Sequence, residues 1–214
     1  EALLRWVTPE GEVHLPENFV DTMADAHHLD LKFPLEAARR TANAFTQDSP
    51  HMFCAFNVSN SFLERANELA PEWSSELLNG VPPERMIFEI VESAVIQDLE
   101  GAKRMLKALR DAGVRVALDD FGRGFSNLER LQEFPVDIVK FDRHFITDLH
   151  NNARNAGILD GLMEMSRTLE FEIIAEGVET EAQLETVRTS GIHLVQGYLL
   201  GRPAPVDEWL KRLS

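Results

Sequence analysis

The feature that most constrains this fold is a repeated unit, in which an amphipathic helical pattern leads through a short turn into a short apolar run. The helical pattern of residues 102–112 stops at Gly113, and a strand pattern follows at residues 114–118. Residues 183–195 repeat the arrangement, with Gly191 at the turn. A glycine just past the last helical residue is a common C-terminal signal. The repetition predicts parallel strands joined by crossover helices.

Seven candidate strands alternate with these helices, and most are nearly continuous apolar runs, as expected for strands buried on both faces. The seven runs are residues 2–6, 52–58, 86–91, 114–118, 137–141, 171–175 and 192–195. Seven strands are compatible with an open doubly wound sheet, and with one more strand upstream of Glu1 they form a (β/α)₈ barrel. We favour the barrel. No linker divides the chain, which predicts a single domain over residues 1–214.

Composition excludes several classes of protein. The 214 residues carry 21 Lys and Arg against 36 Asp and Glu, a formal charge of −15. So acidic a chain is a poor non-specific ligand for nucleic-acid polymers or anionic membranes. The single cysteine excludes an intramolecular disulfide and fits a reducing compartment. The sequence shows neither a membrane-length apolar stretch nor a signal-peptide pattern, so we expect a cytoplasmic location.

The functional prediction comes from the strand ends, which are polar in strand after strand. The residues concerned are Asn57, Glu89, Glu92, Asp119, Asp120, Lys140, Asp142, Glu176, Glu179 and Gln196. The carboxyl ends of parallel strands converge on one face in barrels, and open sheets bind ligands at the same ends. Clustered acids and amides favour hard divalent ions such as Mg²⁺, Mn²⁺ or Ca²⁺ over Zn²⁺.

The adjacent pair Asp119–Asp120 suits a two-metal site, a type of site that hydrolyses phosphodiesters. Lys140 would contribute a positive charge near a phosphate or orient the attacking water. Each residue also has a structural interpretation, with Asp120 and Glu179 as helix N-caps and Lys140 as a partner of Asp142. Because six strand ends share the pattern, a functional site is favoured. An enolase-like barrel, with Mg²⁺ and a lysine base, is a rival that only strand-end geometry supports.

The chain opens with EALLRW, which resembles the namesake motif of the EAL-domain family, phosphodiesterases that act on the bacterial second messenger cyclic di-GMP. Further motifs follow in the family's order and spacing: FNVS (56–59), EIVES (89–93), ALDDFGRGFSNL (117–128), PVDIVKFDRHF (135–145), IIAEGVET (173–180) and QGYLLGRP (196–203). The resemblance spans essentially the whole chain. It implies a TIM-like barrel of the EAL type in a bacterial cytosol, with the family's Gln-Pro-Ile strand missing upstream of residue 1.

The resemblance also implies roles for individual residues. It implies two ions, Mg²⁺ or Mn²⁺, the first held by Glu1, Asn57, Glu89 and Asp119. The ligands that it implies for the second ion are Asp119, Asp120 and Glu176. Lys140 matches the lysine that positions the hydrolytic water, and Glu176 also matches a general base. The positions that match substrate contacts are Leu3, Arg5, Asp142 and Gln196.

The implied reaction is the opening of cyclic di-GMP to linear pGpG by water. Glu92 matches a glutamate that steadies the loop at residues 121–128, which in the family is linked to metal binding and to homodimer formation.

The sequence also departs from the family at several positions. Arg123 and Phe125 differ from the usual loop sequence, and Asp25 is only a loose candidate for a glutamate that the family has in the surrounding helix region. The unusual loop and the missing upstream strand leave open a second hypothesis, a receptor module that binds cyclic di-GMP without cleaving it and signals to a partner domain. The family also implies fusion to sensor or cyclase domains, in a protein that is in some cases attached to a membrane.

Overall fold

The computed structural model describes residues 1–19, 36, 39–44, 52–58, 82–91, 99–122, 131–132, 134–147 and 153–213. The strands are β1 (Trp6–Val7), β2 (Val13–His14), β3 (Cys54–Asn57), β4 (Met86–Val91), β5 (Arg115–Phe121), β6 (Ile138–Phe141), β7 (Glu172–Ala175) and β8 (Leu194–Val195). Among the described residues, the α-helices with defined bounds are α1 (Leu99–Asp111), α2 (Arg143–Thr147), α3 (Ala153–Leu169), α4 (Glu181–Thr189) and α5 (Val206–Leu213). Short 3₁₀ turns occupy Pro16–Asn18 and Pro83–Arg85.

Strands β3 to β8 follow one another in chain order within one sheet. The pairs β3–β4, β5–β6, β6–β7 and β7–β8 are parallel. A doubly wound sheet reverses its strand order at a switch point, whereas the strands of a (β/α)₈ barrel keep chain order. The predicted α/β class and six of the seven predicted strands are thus confirmed.

The predicted strand over residues 2–6 is wrong beyond its first residues. Ala2 forms a single parallel bridge with Phe56, and β1 then pairs antiparallel with β2. The chain reverses in the intervening turn, where the N–H of Gly11 donates to the carbonyl oxygen of Thr8 at 2.9 Å. Gly11 has a φ of +88°, a conformation that glycine adopts without steric cost. The turn therefore diverts the apolar run into a separate two-stranded ribbon.

The chain divides into two compact units. The first comprises Glu1–Glu89, Val95–Arg115 and Ala204–Ser214, and the second comprises Ile90–Ala94 and Val116–Pro203. Buried side chains of the first unit come from β3, β4 and α1, which buries Met105, Leu106 and Leu109. In the second unit, all four residues of β6 are buried, including the Lys140 side chain. Burial on both faces explains why these strands are apolar almost without interruption.

Both helix stops that the glycines predict are confirmed. Gly113 follows α1 with a φ of +97°, and Gly191 follows α4 with a φ of +87°. Thr180 caps the start of α4, because its hydroxyl accepts the Gln183 backbone N–H at 3.2 Å and the Gln183 side chain accepts the Thr180 N–H at 3.0 Å. Among the described residues, no helix combines the length and the apolar character needed to cross a membrane.

Burial makes the single thiol of the chain unreactive, which gives a first prediction. Cys54 is 5 % exposed in β3, and burial raises the pKa of its thiol to about 11. The thiolate is the nucleophile, so at pH 7.5 fewer than about one thiol in a thousand is reactive. We expect slow alkylation by iodoacetamide in the folded protein and rapid alkylation in guanidinium chloride, both followed by mass spectrometry. Equal rates in the two conditions would contradict the burial of Cys54.

Candidate active site

In the first unit, three predicted ligands lie at the paired ends of β3 and β4. Asn57, the last residue of β3, is the register partner of Glu89 in β4. The amide nitrogen of Asn57 donates to Oε1 of Glu1 at 2.6 Å. Glu89 is 1 % exposed. The structure thus brings Glu1 and Asn57 into contact and holds Glu89 on the adjacent strand, at the level of Asn57.

In the second unit, a buried ammonium joins two predicted site carboxylates. Lys140 Nζ lies 3.2 Å from Oδ1 of Asp119 and 2.8 Å from Oε1 of Glu176. The Lys140 side chain is 1 % exposed, and both carboxylates are largely shielded from solvent. The interpretation that Lys140 only pairs with Asp142 is therefore wrong. A buried charge is tolerated only where partners compensate it, and here the partners come from the strands on either side of β6.

The two adjacent aspartates occupy an irregular end of β5. The pairing with β6 shifts register between Leu118 and Phe121. Asp120 has a φ of +56°, and its backbone N–H donates to Oδ1 of Asp119 at 2.9 Å. Irregularities of this kind re-aim side chains that a regular strand would direct to opposite faces. Because of this irregularity, the side chains of Asp119 and Asp120 need not point to opposite faces of the sheet.

Glu176 and Gln196 each follow the last residue of a strand and extend its ladder. The N–H of Glu176 donates to the carbonyl oxygen of Phe141 at 3.0 Å, and the N–H of Gln196 donates to that of Ala175 at 2.8 Å. Both predicted site residues are thus fixed by main-chain bonds at the carboxyl edge of the sheet. Positions held by strand backbone are more precise than positions in free loops.

Two glycines allow the backbone to close tightly behind these residues. A Cβ atom on Gly177 would lie 2.2 Å from the Cβ atom of Arg143, at the start of α2. A Cβ atom on Gly197 would lie 2.1 Å from the carbonyl oxygen of Val178 and 2.4 Å from its nitrogen. The Val178 N–H donates to the Gln196 carbonyl oxygen at 3.1 Å. The chain segments after β7 and β8 are therefore locked together by main-chain contact.

Asp142 lies immediately after β6 and starts α2. Its Oδ1 accepts the backbone N–H of His144 at 2.8 Å and also contacts Nδ1 of the His144 imidazole. The Asp142 side chain is 8 % exposed, whereas that of His144 is 65 % exposed. The sequence patterns assigned His144 no role, so this contact was not predicted. An aspartate two residues before a histidine, at a strand-to-helix junction, is the signal that was available.

The remaining predicted residues are less constrained by the described structure. Leu3 is 40 % exposed, and Nη1 of Arg5 donates to the carbonyl oxygen of Leu4 at 2.7 Å. Glu92 lies outside the described residues, as do Asp25 and most of the loop at residues 121–128, including its Arg123 and Phe125. The structure consequently leaves the proposed loop-steadying role of Glu92 untested.

The donor set fits hard divalent cations. The side chains are carboxylates and one amide, and the Asn57 nitrogen faces Glu1, which leaves its oxygen as the atom suited to a cation. Around Lys140, two carboxylates face one ammonium, so negative charge is in excess. Within the part of the chain that the structure describes, no three Asp, Glu, His or Cys side chains form a ready metal-binding group. Assignment of ions to these residues therefore stays a prediction.

In sequence, the chain is similar to EAL domains over nearly its whole length. The sequence profile of the EAL domain matches residues 1–203. The bifunctional diguanylate cyclase/cyclic di-GMP phosphodiesterase MucR of Pseudomonas aeruginosa is 34 % identical over 219 residues, which cover 100 % of this chain and 32 % of MucR. The chain spans about a quarter to a third of the length of the curated relatives that it matches.

Solved structures share the fold. The PaMucR phosphodiesterase in complex with cyclic di-GMP superposes with a TM-score of 0.80 at 31 % identity, covering 97 % of this chain and 85 % of that one. BlrP1 of Klebsiella pneumoniae, solved with manganese and cyclic di-GMP, gives a TM-score of 0.77 at 28 % identity, covering 92 % and 50 % of the two chains. The TIM-like α/β architecture of the EAL type is thus confirmed.

The close approach at Gly197 gives a second prediction. In Gly197→Ala the new methyl group would overlap the Val178 backbone, which cannot yield as a flexible side chain would. We expect a loss of about 1–3 kcal/mol or more in the free energy of unfolding, measured by chemical denaturation.

Gly161→Ala is the matched control. Gly161 lies within α3, and a Cβ atom there would meet nothing within 4 Å. Alanine replaces glycine favourably in a helix, so this variant should gain about 0.5–1 kcal/mol. Similar stability changes in the two variants would refute the steric argument.

Proposed function

The chain belongs to the EAL-domain family, and from that premise we propose that it is a metal-dependent phosphodiesterase that hydrolyses cyclic di-GMP to linear pGpG in bacterial second-messenger signalling. The observation that carries the proposal is the buried Lys140 ammonium between Asp119 and Glu176. Hydrolysis needs charged groups held in fixed positions, and these two ion pairs hold the ammonium and both carboxylates in place.

We propose that divalent ions, Mg²⁺ or Mn²⁺, bind the acidic groups. Following the family resemblance, the first ion takes Glu1, Asn57, Glu89 and Asp119. The ligands of the second ion are Asp119, Asp120 and Glu176. When bound, such ions stabilise the negative charge that develops on the attacking and leaving oxygens of a phosphodiester. The all-oxygen chemistry of the set and the manganese complex of a relative support this assignment.

Individual residues of the chain then have separate roles in hydrolysis. Lys140 orients the attacking water, and Glu176 accepts a proton from it as its oxygen bonds to phosphorus. The bond between phosphorus and the 3′ oxygen breaks, and that oxygen takes up a proton from solvent. The product is the linear dinucleotide with a terminal phosphate. The ion pair to Lys140 holds the Glu176 carboxylate beside the water that it deprotonates.

The substrate contacts are proposed on the same basis. Leu3 packs against the nucleotide and Arg5 pairs with a phosphate, since a guanidinium matches phosphate geometry. Asp142 and Gln196 contact the nucleotide from the carboxyl edge of the sheet, where the structure fixes the Asp142 carboxylate and the Gln196 backbone. That these four residues contact the substrate rests on the family resemblance, whereas the particular partners of Leu3 and Arg5 rest on the chemistry of their side chains.

The setting of the domain in a longer protein is also a proposal. The relatives are three to four times longer than the matched segment, and MucR carries a diguanylate cyclase activity as well. We infer that this chain works in the bacterial cytoplasm, beside a sensor or cyclase domain. We also infer that it pairs as a homodimer through the region that includes residues 121–128.

The direct test is turnover of cyclic di-GMP. With Mg²⁺ or Mn²⁺ we expect conversion to pGpG, resolved by liquid chromatography. EDTA should abolish the reaction, and excess Mg²⁺ or Mn²⁺ should restore it, because the carboxylates need cations to approach an anionic substrate. Tight calorimetric binding of cyclic di-GMP that stays intact on prolonged incubation would instead identify a receptor module.

Removal of the buried ammonium tests its proposed role. Lys140→Met keeps the length of the side chain without its charge, and we expect kcat to fall about 100-fold or more. Lys107→Met serves as control, because Lys107 forms an exposed ion pair with Asp111 at 2.6 Å and should leave kcat unchanged. If Lys140→Met retained full kcat in a folded protein, Lys140 would have no part in positioning the water.

A further inference from the structure

We propose that His144 is a positioning residue that fixes the carboxylate of Asp142 and thereby sets the affinity for cyclic di-GMP. The inference rests on the proposed function, in which Asp142 contacts the substrate. It adds a residue for which the family resemblance implies no role.

Two donors of His144 reach the same oxygen of Asp142. The backbone N–H of His144 lies 2.8 Å from Oδ1, and Nδ1 of the imidazole contacts that oxygen as well. An ionised carboxylate only accepts hydrogen bonds, so Nδ1 carries the hydrogen in this contact. Two convergent donors constrain the rotation of the carboxylate more tightly than one.

The imidazole bond is not needed to start the helix. The backbone bond to Asp142 alone makes the N-cap of α2. The start of α2 is also held by packing, because Arg143 lies against Gly177 within the space that a Cβ atom would fill. The Asp142 N–H further donates to the Phe121 carbonyl oxygen at 3.3 Å. What the imidazole adds is therefore orientation of the carboxylate.

The exposures of the two side chains favour such a role. Asp142 is nearly buried, with 8 % of its side chain exposed, whereas 65 % of the His144 side chain is exposed. Loss of the contact therefore requires only the rotation of His144 into water, with no change in the core. Breaking this bond should therefore change the free energy of unfolding little, although the bond orients an almost buried carboxylate.

The test compares His144→Phe, which keeps a ring without a donor, with His144→Asn, whose side-chain amide nitrogen can occupy the place of Nδ1. We expect His144→Phe to raise KM for cyclic di-GMP about tenfold, the scale of a lost hydrogen bond to a charged group, with kcat within about twofold. His144→Asn should restore most of the affinity. His193→Phe, at an exposed histidine beside β8, should leave both constants unchanged.

Two further measurements separate positioning from folding and from catalysis. Calorimetric binding of cyclic di-GMP, measured with Mg²⁺ in a Lys140→Met background where turnover is suppressed, should show the same loss of affinity in His144→Phe. In an Asp142→Ala background, His144→Phe should have no additional effect on affinity, because no side chain remains there for the imidazole to position. The thermal unfolding midpoint of His144→Phe should match that of the parent protein.

The outcomes distinguish the inference from its premise. If the parent protein binds cyclic di-GMP and His144→Phe binds it equally well, the positioning role is overturned and the proposed function stands. A loss that His144→Asn fails to restore, accompanied by a lowered unfolding midpoint, also overturns the positioning role. A parent protein that neither binds nor cleaves cyclic di-GMP overturns the proposed function and, with it, this inference.

Discussion

The described part of the second unit depends on one buried charge. Lys140 is placed by β6, whose residues are all buried, so its ammonium can exist there only with compensating partners. Asp119 and Glu176 supply them from the strands on either side. The requirement explains two local features. β5 departs from regular pairing where it delivers Asp119, and β7 is extended by one main-chain bond to deliver Glu176.

Close backbone packing complements this charge constraint. Gly177 follows Glu176 and meets Arg143, while Gly197 follows Gln196 and meets Val178. At both places the absence of a side chain lets one segment rest directly on the next. The polar side chains at the strand ends are consequently presented by a framework with little freedom to shift. A hydrolytic site requires such preorganisation, since small displacements of positioned groups cost large factors in rate.

Sequence patterns predicted those parts of the fold that depend on local rules. Apolar runs marked the six strands β3 to β8, because buried strands consist mainly of apolar residues. Gly113 and Gly191 marked helix ends, because a positive φ favours glycine. The β1–β2 ribbon was not predicted, since an apolar run does not reveal where its partner lies. For the same reason the sequence offered only Asp142, which is near in the chain, as an ion-pair partner of Lys140, whereas its partners Asp119 and Glu176 come from neighbouring strands. The register shift before Asp120 depends on backbone geometry that residue spacing does not encode, whereas the contact of His144 with Asp142 had a sequence signal in their spacing of two residues.

The charge arrangement bears on how so acidic a chain, at −15, could act on an anionic dinucleotide. Exposed charges separated by more than about 8 Å are largely screened at physiological ionic strength. A small ligand therefore senses mainly the groups at its site, whereas a nucleic-acid polymer would also meet the acidic surface around it. At Lys140 two carboxylates contact one ammonium, so these three side chains together carry a negative charge. Divalent cations would reverse that sign locally and leave the rest of the surface acidic. Under the proposed function, the same negative charge would recruit the ions and discourage longer polyanions.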